Sequence, residues 1–260
     1  MHHEKLILLD FDGVIVNGID EYWYSSKLAC EKYLLASSKN LNLNYDIEVP
    51  KLFAEIRPWV KYGWEMVLLT HEIIKEEEPL NDSSKNKFLQ NYQQNCHDLL
   101  EEKSWESQTL QISLDKARQS QIRSDLDKWI NLHNPFNEVI SFIKTAHLDG
   151  FRVGIISTKG RIFTSKIINQ FKIYPELIFG YESGSKVDII SSLTENYEII
   201  GFIEDRRKTL VKILENKTTK DIPCFLANWG YLKKSDRHNL HPQITLLNLN
   251  DLKNLLANLN

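Results

Sequence analysis

Apolar positions along this chain follow two rhythms, and the places where the rhythm changes divide it into three stretches. Leu6-Ile7-Leu8-Leu9 are apolar in unbroken succession, the pattern of a strand buried on both faces in a parallel sheet. The run ends on Asp10-Phe11-Asp12-Gly13-Val14, two acids spaced i, i+2 and then a glycine. Over residues 16–135 the apolar positions fall at helical spacing instead. Helices are expected from Glu21-Tyr22-Trp23-Tyr24 to Tyr33-Leu34-Leu35 and from Val49 to Ile74. Pro50 is tolerable in a first turn, and Pro58 marks a break or a new start. Ser84–Glu102 and the amphipathic stretch Leu110–Leu132 each read as one further helix, separated by loops rich in Asn, Ser and Glu. The run Glu76-Glu77-Glu78 reads as a solvated helix end.

From Pro135 the pattern becomes alternating. A helix at 136–149 stops at Gly150 and feeds a strand at Arg152–Ser157, followed by a helix at 161–171. Leu177–Gly180, Ile199–Glu204 and Pro223–Ala227 read as strands, with helices at Val187–Leu193 and Thr209–Glu215 between them. Ile244-Thr245-Leu246-Leu247 adds an edge strand before a closing helix at 250–259. Elements of these lengths in alternation imply βαβ units: an α/β fold with a Rossmann-like parallel sheet between helical layers. The first strand belongs to that sheet. The expected organisation is therefore an α/β core at 1–15 and 136–260, with an all-helical domain, 16–135, inserted after the first strand.

Composition narrows the class. The 260 residues are 42% hydrophobic and 26% charged, which suits a soluble globular protein. A net charge of -3 and a pI near 6.3 give no electrostatic basis for a nucleic-acid partner. No apolar run has the length of a membrane span, and Met1-His2-His3-Glu4 lacks a signal-peptide core. Cys30, Cys96 and Cys224 are odd in number and far apart, which suits a reducing cytoplasm better than a disulfide framework. His2-His3 reads as a flexible terminus, and His238-x-x-His241 lacks a third ligand, so zinc is not expected.

The candidate chemistry lies at the strand ends. In a parallel sheet these meet along one edge, where open α/β folds bind ligands. Asp10-Phe11-Asp12 ends the first strand, Ser157-Thr158-Lys159 the second, and Glu204-Asp205 a later one, while Ser183-Gly184-Ser185-Lys186 opens a helix. Acids gathered at one edge repel each other and call for a hard cation such as Mg²⁺. Each residue also has a plain structural reading. Ser157-Thr158 could be a helix N-cap, which suits Thr158 better than Ser157. Glu204-Asp205 could cap a helix starting near Arg206, and Arg206, Arg207 and Lys208 read as surface charges.

Taken together, these segments resemble the haloacid dehalogenase-like superfamily, specifically its Mg²⁺-dependent phosphatases with a helical cap inserted after the first motif, of which phosphoglycolate phosphatases are examples. Asp10-Phe11-Asp12-Gly13-Val14 is similar to the first motif without departure. Ser157 resembles the hydroxyl residue closing the second motif, Lys186 the lysine of the third, and Phe202-Ile203-Glu204-Asp205 the acidic fourth. One departure stands out: Glu204 occupies a position that is often Gly, and Thr209 one that is often Asp. The resemblance implies that Asp10 is a nucleophile attacking phosphorus and that Asp12 is a general acid and then base. Mg²⁺ would be held by Asp10, the Asp12 carbonyl and Asp205, with Glu204 assisting. The phosphoryl group would meet Ser157, Lys186 and the backbone around Phe11 and Gly13, with Thr158 beside them. The partner implied is a small-molecule phosphate ester.

In the inserted helices, Tyr22-Trp23-Tyr24 and Trp59-Val60-Lys61-Tyr62-Gly63-Trp64 suit either contact with an organic leaving group or the domain's own core. Arg57, Lys61 and His71 could pair with a second acid on the substrate. Besides hydrolysis, the scaffold admits a phosphomutase or a non-catalytic binding module. Dehalogenation is disfavoured because Asp12 is present.

Overall fold

The computed structural model describes residues 3–34 and 48–258. His2, Leu35 and Leu259, each part of an expectation above, lie outside the described residues. The chain forms two compact units, the first made of Met1–Asn17 with Asn134–Asn260 and the second of Gly18–His133.

The chain opens in unit 1 with β1 (Glu4–Leu9), whose Leu6, Ile7, Leu8 and Leu9 are all fully buried. Next comes β2 (Val16–Asn17), a strand too short to leave a signature in the sequence. The regular elements of unit 2 among its described residues are all helical: α1 (Ile19–Leu34), α2 (Lys51–Ile56), α3 (Gly63–Ile74), α4 (Asp82–Gln90), α5 (Tyr92–Glu102), α6 (Ser107–Ser124) and α7 (Leu126–Ile130), together with the 3₁₀ turn Arg57–Trp59. Its core gathers Trp23, Phe53, Val67, Leu68, Leu110 and Leu114.

Two long helices expected from periodicity are broken. Ser84–Glu102 divides at Asn91, which leaves the helical region with φ -124° and ψ 44°, while the Asn95 side chain donates across the break to the Phe88 carbonyl at 2.7 Å. The first piece also starts earlier than expected, because Asn81 and Ser84 form a reciprocal capping box. Leu110–Leu132 divides at Asp125, whose extended backbone lets its carboxylate accept the Lys128 N–H at 2.9 Å and begin α7. Period alone misses such breaks because a capping side chain competes locally with helix continuation. Pro50 is the N-cap of α2 rather than part of its first turn, and Pro58 sits inside a 3₁₀ turn, Arg57–Trp59.

The chain re-enters unit 1 at β3 (Asn134–Pro135), which pairs antiparallel with β2. There follow α8 (Asn137–Leu148), β4 (Arg152–Ile156), α9 (Arg161–Gln170), β5 (Leu177–Phe179), α10 (Lys186–Leu193), β6 (Tyr197–Glu204), α11 (Arg207–Glu215), β7 (Cys224–Ala227), β8 (Ile244–Leu247) and α12 (Leu252–Asn258). Six strands form a parallel sheet in the order β5-β4-β1-β6-β7-β8. The chain winds outward from β1 to β5, then returns across β1 to start β6. The C-terminal ends of β1, β4 and β6 thus flank the point where the winding reverses, the usual ligand crevice of open α/β sheets. One face is sealed by Leu6, Leu8, Phe202 and Leu226 packing against Ile190, Leu210 and Ile213. No helix among the described residues is long and apolar enough to cross a membrane.

Candidate active site

Asp10 is the first residue past β1, and its N–H donates to the Ile203 carbonyl at 2.9 Å, extending the ladder with β6 by one bond. The chain then turns sharply. The Phe11 carbonyl accepts the N–H groups of Val14, Ile15 and Val16 at 3.3, 2.9 and 3.1 Å. Gly13 takes φ +92°, a conformation that side-chain-bearing residues rarely adopt. A Cβ there would also lie 2.0 Å from Asp205 Oδ2, so this position demands glycine on two counts. Asp10 and Asp12 are both buried, at 6% and 5% exposure, and the Phe11 side chain is fully buried.

Lys186 begins α10 just after Ser185, whose hydroxyl caps the helix by accepting the Asp188 N–H at 3.2 Å. Its Nζ lies 2.7 Å from Asp10 Oδ1 and 2.7 Å from Glu204 Oε2, bridging the acids that terminate neighbouring strands. Burial pushes the lysine pKa down, but attraction from Asp10 and Glu204 outweighs it and the net shift is upward. Glu204 is fully buried, and burial together with repulsion from Asp10 and Asp205 raises its pKa to about 8 against the pull of Lys186. Glu204 Oε1 accepts the Arg206 N–H at 3.2 Å, so this acid also serves the backbone turn before α11. Asp205 Oδ2 accepts the Tyr231 N–H at 2.8 Å.

At the end of β4, Ser157 is buried and its Oγ accepts the Lys159 N–H at 2.9 Å, shaping the loop while its own hydroxyl proton is left to donate elsewhere. Neither Ser157 nor Thr158 caps α9. The N-cap is Gly160, which makes no side-chain capping bond, and this corrects the N-cap reading of that pair. Thr158 is half-buried. Lys159, to which no role was assigned from sequence, is fully buried with its Nζ 3.8 Å from Asp12 Oδ2.

Asp10, Glu204 and Asp205 each offer a carboxylate oxygen within 4.8 Å of the others, the one such trio of potential ligands among the described residues. With Asp12 they make four carboxylates, against the ammonium groups of Lys159 and Lys186. When all are ionised the surplus is two negative charges in buried space, and Glu204 is raised first by burial and then by repulsion from Asp10 and Asp205. The all-oxygen, all-carboxylate donor set fits a hard divalent cation such as Mg²⁺.

Sequence reasoning also passed over Trp229-Gly230-Tyr231, just past β7. The Trp229 indole N–H donates to the Val14 carbonyl at 3.1 Å, and the Tyr231 hydroxyl donates to Asn17 Oδ1 at 2.6 Å. Extending the strand-end argument to Pro223–Ala227 would have pointed to this segment.

In unit 2, Tyr22 and Trp23 are core residues, with the Trp23 and Phe53 rings 5.0 Å apart. Arg57 and Arg118 both stack on Tyr22, at 5.4 and 5.0 Å. His71 Nδ1 pairs with Glu72 at 3.0 Å, and Lys61 meets the Tyr62 hydroxyl. Of the two readings left open for the aromatic segments, this favours a core for Tyr22 and Trp23.

Comparison with known proteins places the fold. Over 99% of its length the chain superposes on all of a predicted phosphatase from Clostridium acetobutylicum, at TM-score 0.59 and 16% identity. It likewise matches a haloacid dehalogenase-like family hydrolase from Streptococcus pneumoniae at TM-score 0.55 and 17% identity, covering 99% of each chain. A third match is Protein Tyrosine Kinase A of Mycobacterium tuberculosis, at TM-score 0.58 and 13% identity, covering all of both chains. No family model matches the sequence, and no curated protein is similar to it. At these identities the likeness shows a haloacid dehalogenase-like fold.

Proposed function

We propose that this chain is a Mg²⁺-dependent phosphatase that hydrolyses a small phosphate monoester through an aspartyl-phosphate on Asp10. The observation that carries the proposal is the meeting of Asp10, Lys186, Glu204 and Asp205, drawn from three separate chain segments, at the ends of adjacent strands. The named phosphatase among the structural neighbours supports the same reading.

Asp10 attacks phosphorus in line with the leaving oxygen, dividing one difficult hydrolysis into two easier transfers. Asp12, two residues on, protonates the departing alkoxide and then takes a proton from the water that opens the acyl phosphate. Lys186 holds the Asp10 carboxylate in place from 2.7 Å and lowers the cost of bringing a phosphate dianion beside it. The Ser157 hydroxyl and the Phe11 N–H donate to phosphoryl oxygens, whereas the Gly13 N–H, expected from sequence to join them, is already given to the Val16 carbonyl at 2.7 Å. Asp10, the Asp12 carbonyl and Asp205 are the residues that would hold Mg²⁺, with Glu204 assisting. When bound, the ion supplies charge neutralisation between carboxylate and phosphate, where each unit-charge repulsion at 4 Å is worth about 4 kcal/mol at an effective dielectric near 20.

These core residues address a phosphate and an ion and none reads an organic group. We therefore assign the choice of ester to the inserted helical unit, acting as a cap. The odd number and wide spacing of Cys30, Cys96 and Cys224, all free thiols, are the basis on which we propose a reducing, cytoplasmic setting.

The test is a panel of phosphate esters assayed with and without Mg²⁺. Phosphate release that stops with EDTA and is lost in Asp10→Asn supports hydrolysis. Isomerised product without free phosphate favours the phosphomutase. Silence across the panel, with no metal-dependent binding of fluoroberyllate, favours the binding module.

A further inference from the structure

Asp205 stands in a slot that its own strand does not make. Against it lies Gly13, where a Cβ would fall 2.0 Å from Asp205 Oδ2 and 2.8 Å from the Tyr231 ring. Gly230 packs there too, where a Cβ would fall 2.3 Å from Asp205 Cβ, 2.7 Å from the Gly13 carbonyl and 2.9 Å from Asp205 Oδ2. Two glycine backbones thus press directly on Asp205, and the Tyr231 N–H donates to Oδ2 at 2.8 Å. The turn is itself anchored at both ends. The Trp229 indole donates to Val14 within the Asp10–Val16 loop, and the Tyr231 hydroxyl donates to Asn17 in β2.

We propose that Trp229-Gly230-Tyr231 is a positioning element for divalent-ion binding. It selects one orientation of Asp205 and ties it to the loop that carries Asp10 and Asp12. The inference rests on the proposed metal site, and names residues that act on it without touching ion or substrate. The physical basis is general. A carboxylate fixed before the ion arrives loses less freedom on binding, and partners one layer out from a metal ligand typically govern affinity by about 10- to 100-fold. A flat, adaptable turn would give no reason for glycine at 230 or for a tyrosine whose hydroxyl reaches Asn17.

The experiment uses Mn²⁺ alone as the probe, with free ion followed by electron paramagnetic resonance and folding followed by thermal melts of the same samples. Asp205→Asn serves as the reference for loss of the site. Gly230→Ala is expected to weaken Mn²⁺ binding by about tenfold or more while the cooperative melt is kept. Tyr231→Phe and Asn17→Ala keep the backbone N–H but remove the anchor. Each is expected to weaken binding by about threefold, and the double variant by no more than either single, since the two share one hydrogen bond. That non-additivity in ion affinity is what a merely structural turn would not produce. Should Gly230→Ala fail to fold, the Tyr231 and Asn17 pair decides alone. Wild-type affinity in the folded variants, or losses that simply add, would overturn the proposal while leaving the metal site intact. A wild-type chain that binds no Mn²⁺, or binds it equally well as Asp205→Asn, would overturn both.

Discussion

Lys186 Nζ stands 2.7 Å from Asp10 Oδ1, joining the first residue of α10 to the carboxylate that follows β1. The same ammonium reaches Glu204 at the same distance, so one cation holds two acids from neighbouring strands. Lys186→Met keeps much of the volume and removes the charge. It is expected to lower kcat/KM for the ester found in the panel by about 10²–10³, the usual loss when one preorganised donor to developing phosphoryl charge is deleted. Lys186→Arg keeps the charge but not the compact ammonium, and is expected to fall between the two. Steady-state kinetics with a circular-dichroism check of folding decides. Near-normal kcat/KM in a folded Lys186→Met chain would remove Lys186 from the site.

Lys159 gives a second test on the same strand edge. Its ammonium is fully buried and 3.8 Å from Asp12 Oδ2, an arrangement that holds the Asp12 carboxylate by charge from its buried side. Asp12 is the residue assigned to proton transfer, which typically contributes about 10²–10⁴ in rate. Lys159→Met is expected to cost about 10- to 100-fold of that in kcat, with a smaller effect on KM because the binding groups for phosphate are untouched. A loss confined to KM would mean that Lys159 serves substrate binding instead.

What the sequence disclosed and what it hid follow from the range of the interactions concerned. The sheet was legible because burial on both faces writes unbroken apolar runs, and Leu6–Leu9 and Ile199–Ile203 are such runs. Asp10, Asp12, Ser157, Lys186, Glu204 and Asp205 were found as strand ends and a helix start, features of one segment at a time. Lys159 was written beside Ser157, yet nothing local distinguishes a lysine that turns inward to Asp12 from one that faces water. Gly230 was invisible because its reason is Asp205, a neighbour only after β6 and β7 have paired. The breaks at Asn91 and Asp125 were missed for the opposite reason: there a short-range side-chain hydrogen bond prevails over a helical period that continues on either side.

Unit 2 contains an ion pair whose removal should be costly. Arg118 donates to Glu21 from Nε at 2.8 Å and from Nη2 at 3.1 Å, both side chains are buried, and Ser25 adds a 2.6 Å bond to Glu21 Oε1. Burial opposes the charge on Arg118, but Glu21 more than restores it. Arg118→Met leaves a carboxylate without its cation in the interior and is expected to destabilise by about 3–5 kcal/mol. The double variant Glu21→Gln with Arg118→Met removes both charges and is expected to recover a large part of that loss. Urea denaturation of both variants checks it. A double variant as unstable as Arg118→Met, or less stable, would show that packing and not charge is responsible.

Glu72 should make stability depend on acid. It is 4% exposed and is held by Lys75 at 2.6 Å, His71 at 3.0 Å and Lys103 at 3.1 Å. Burial raises its pKa, but the bonds to His71 and Lys75 and the charge on Lys103 prevail and bring it down to about 2. A carboxyl held lower in the folded chain than in the unfolded one, where it titrates near 4.3, favours folding whenever it is ionised in both states. That contribution, on the order of 3 kcal/mol for a shift of this size, is complete above the unfolded value. It fades as pH falls from about 4.3 toward 2, where the folded form also takes up its proton. Other acids titrate over the same range, so the difference between wild type and Glu72→Gln is the informative quantity. In urea titrations the gap is expected to be widest at pH 6–7, to narrow through pH 4 to 3, and to be smallest near pH 2. A gap that stays constant across that range would mean that Glu72 stabilises by shape and hydrogen bonding alone.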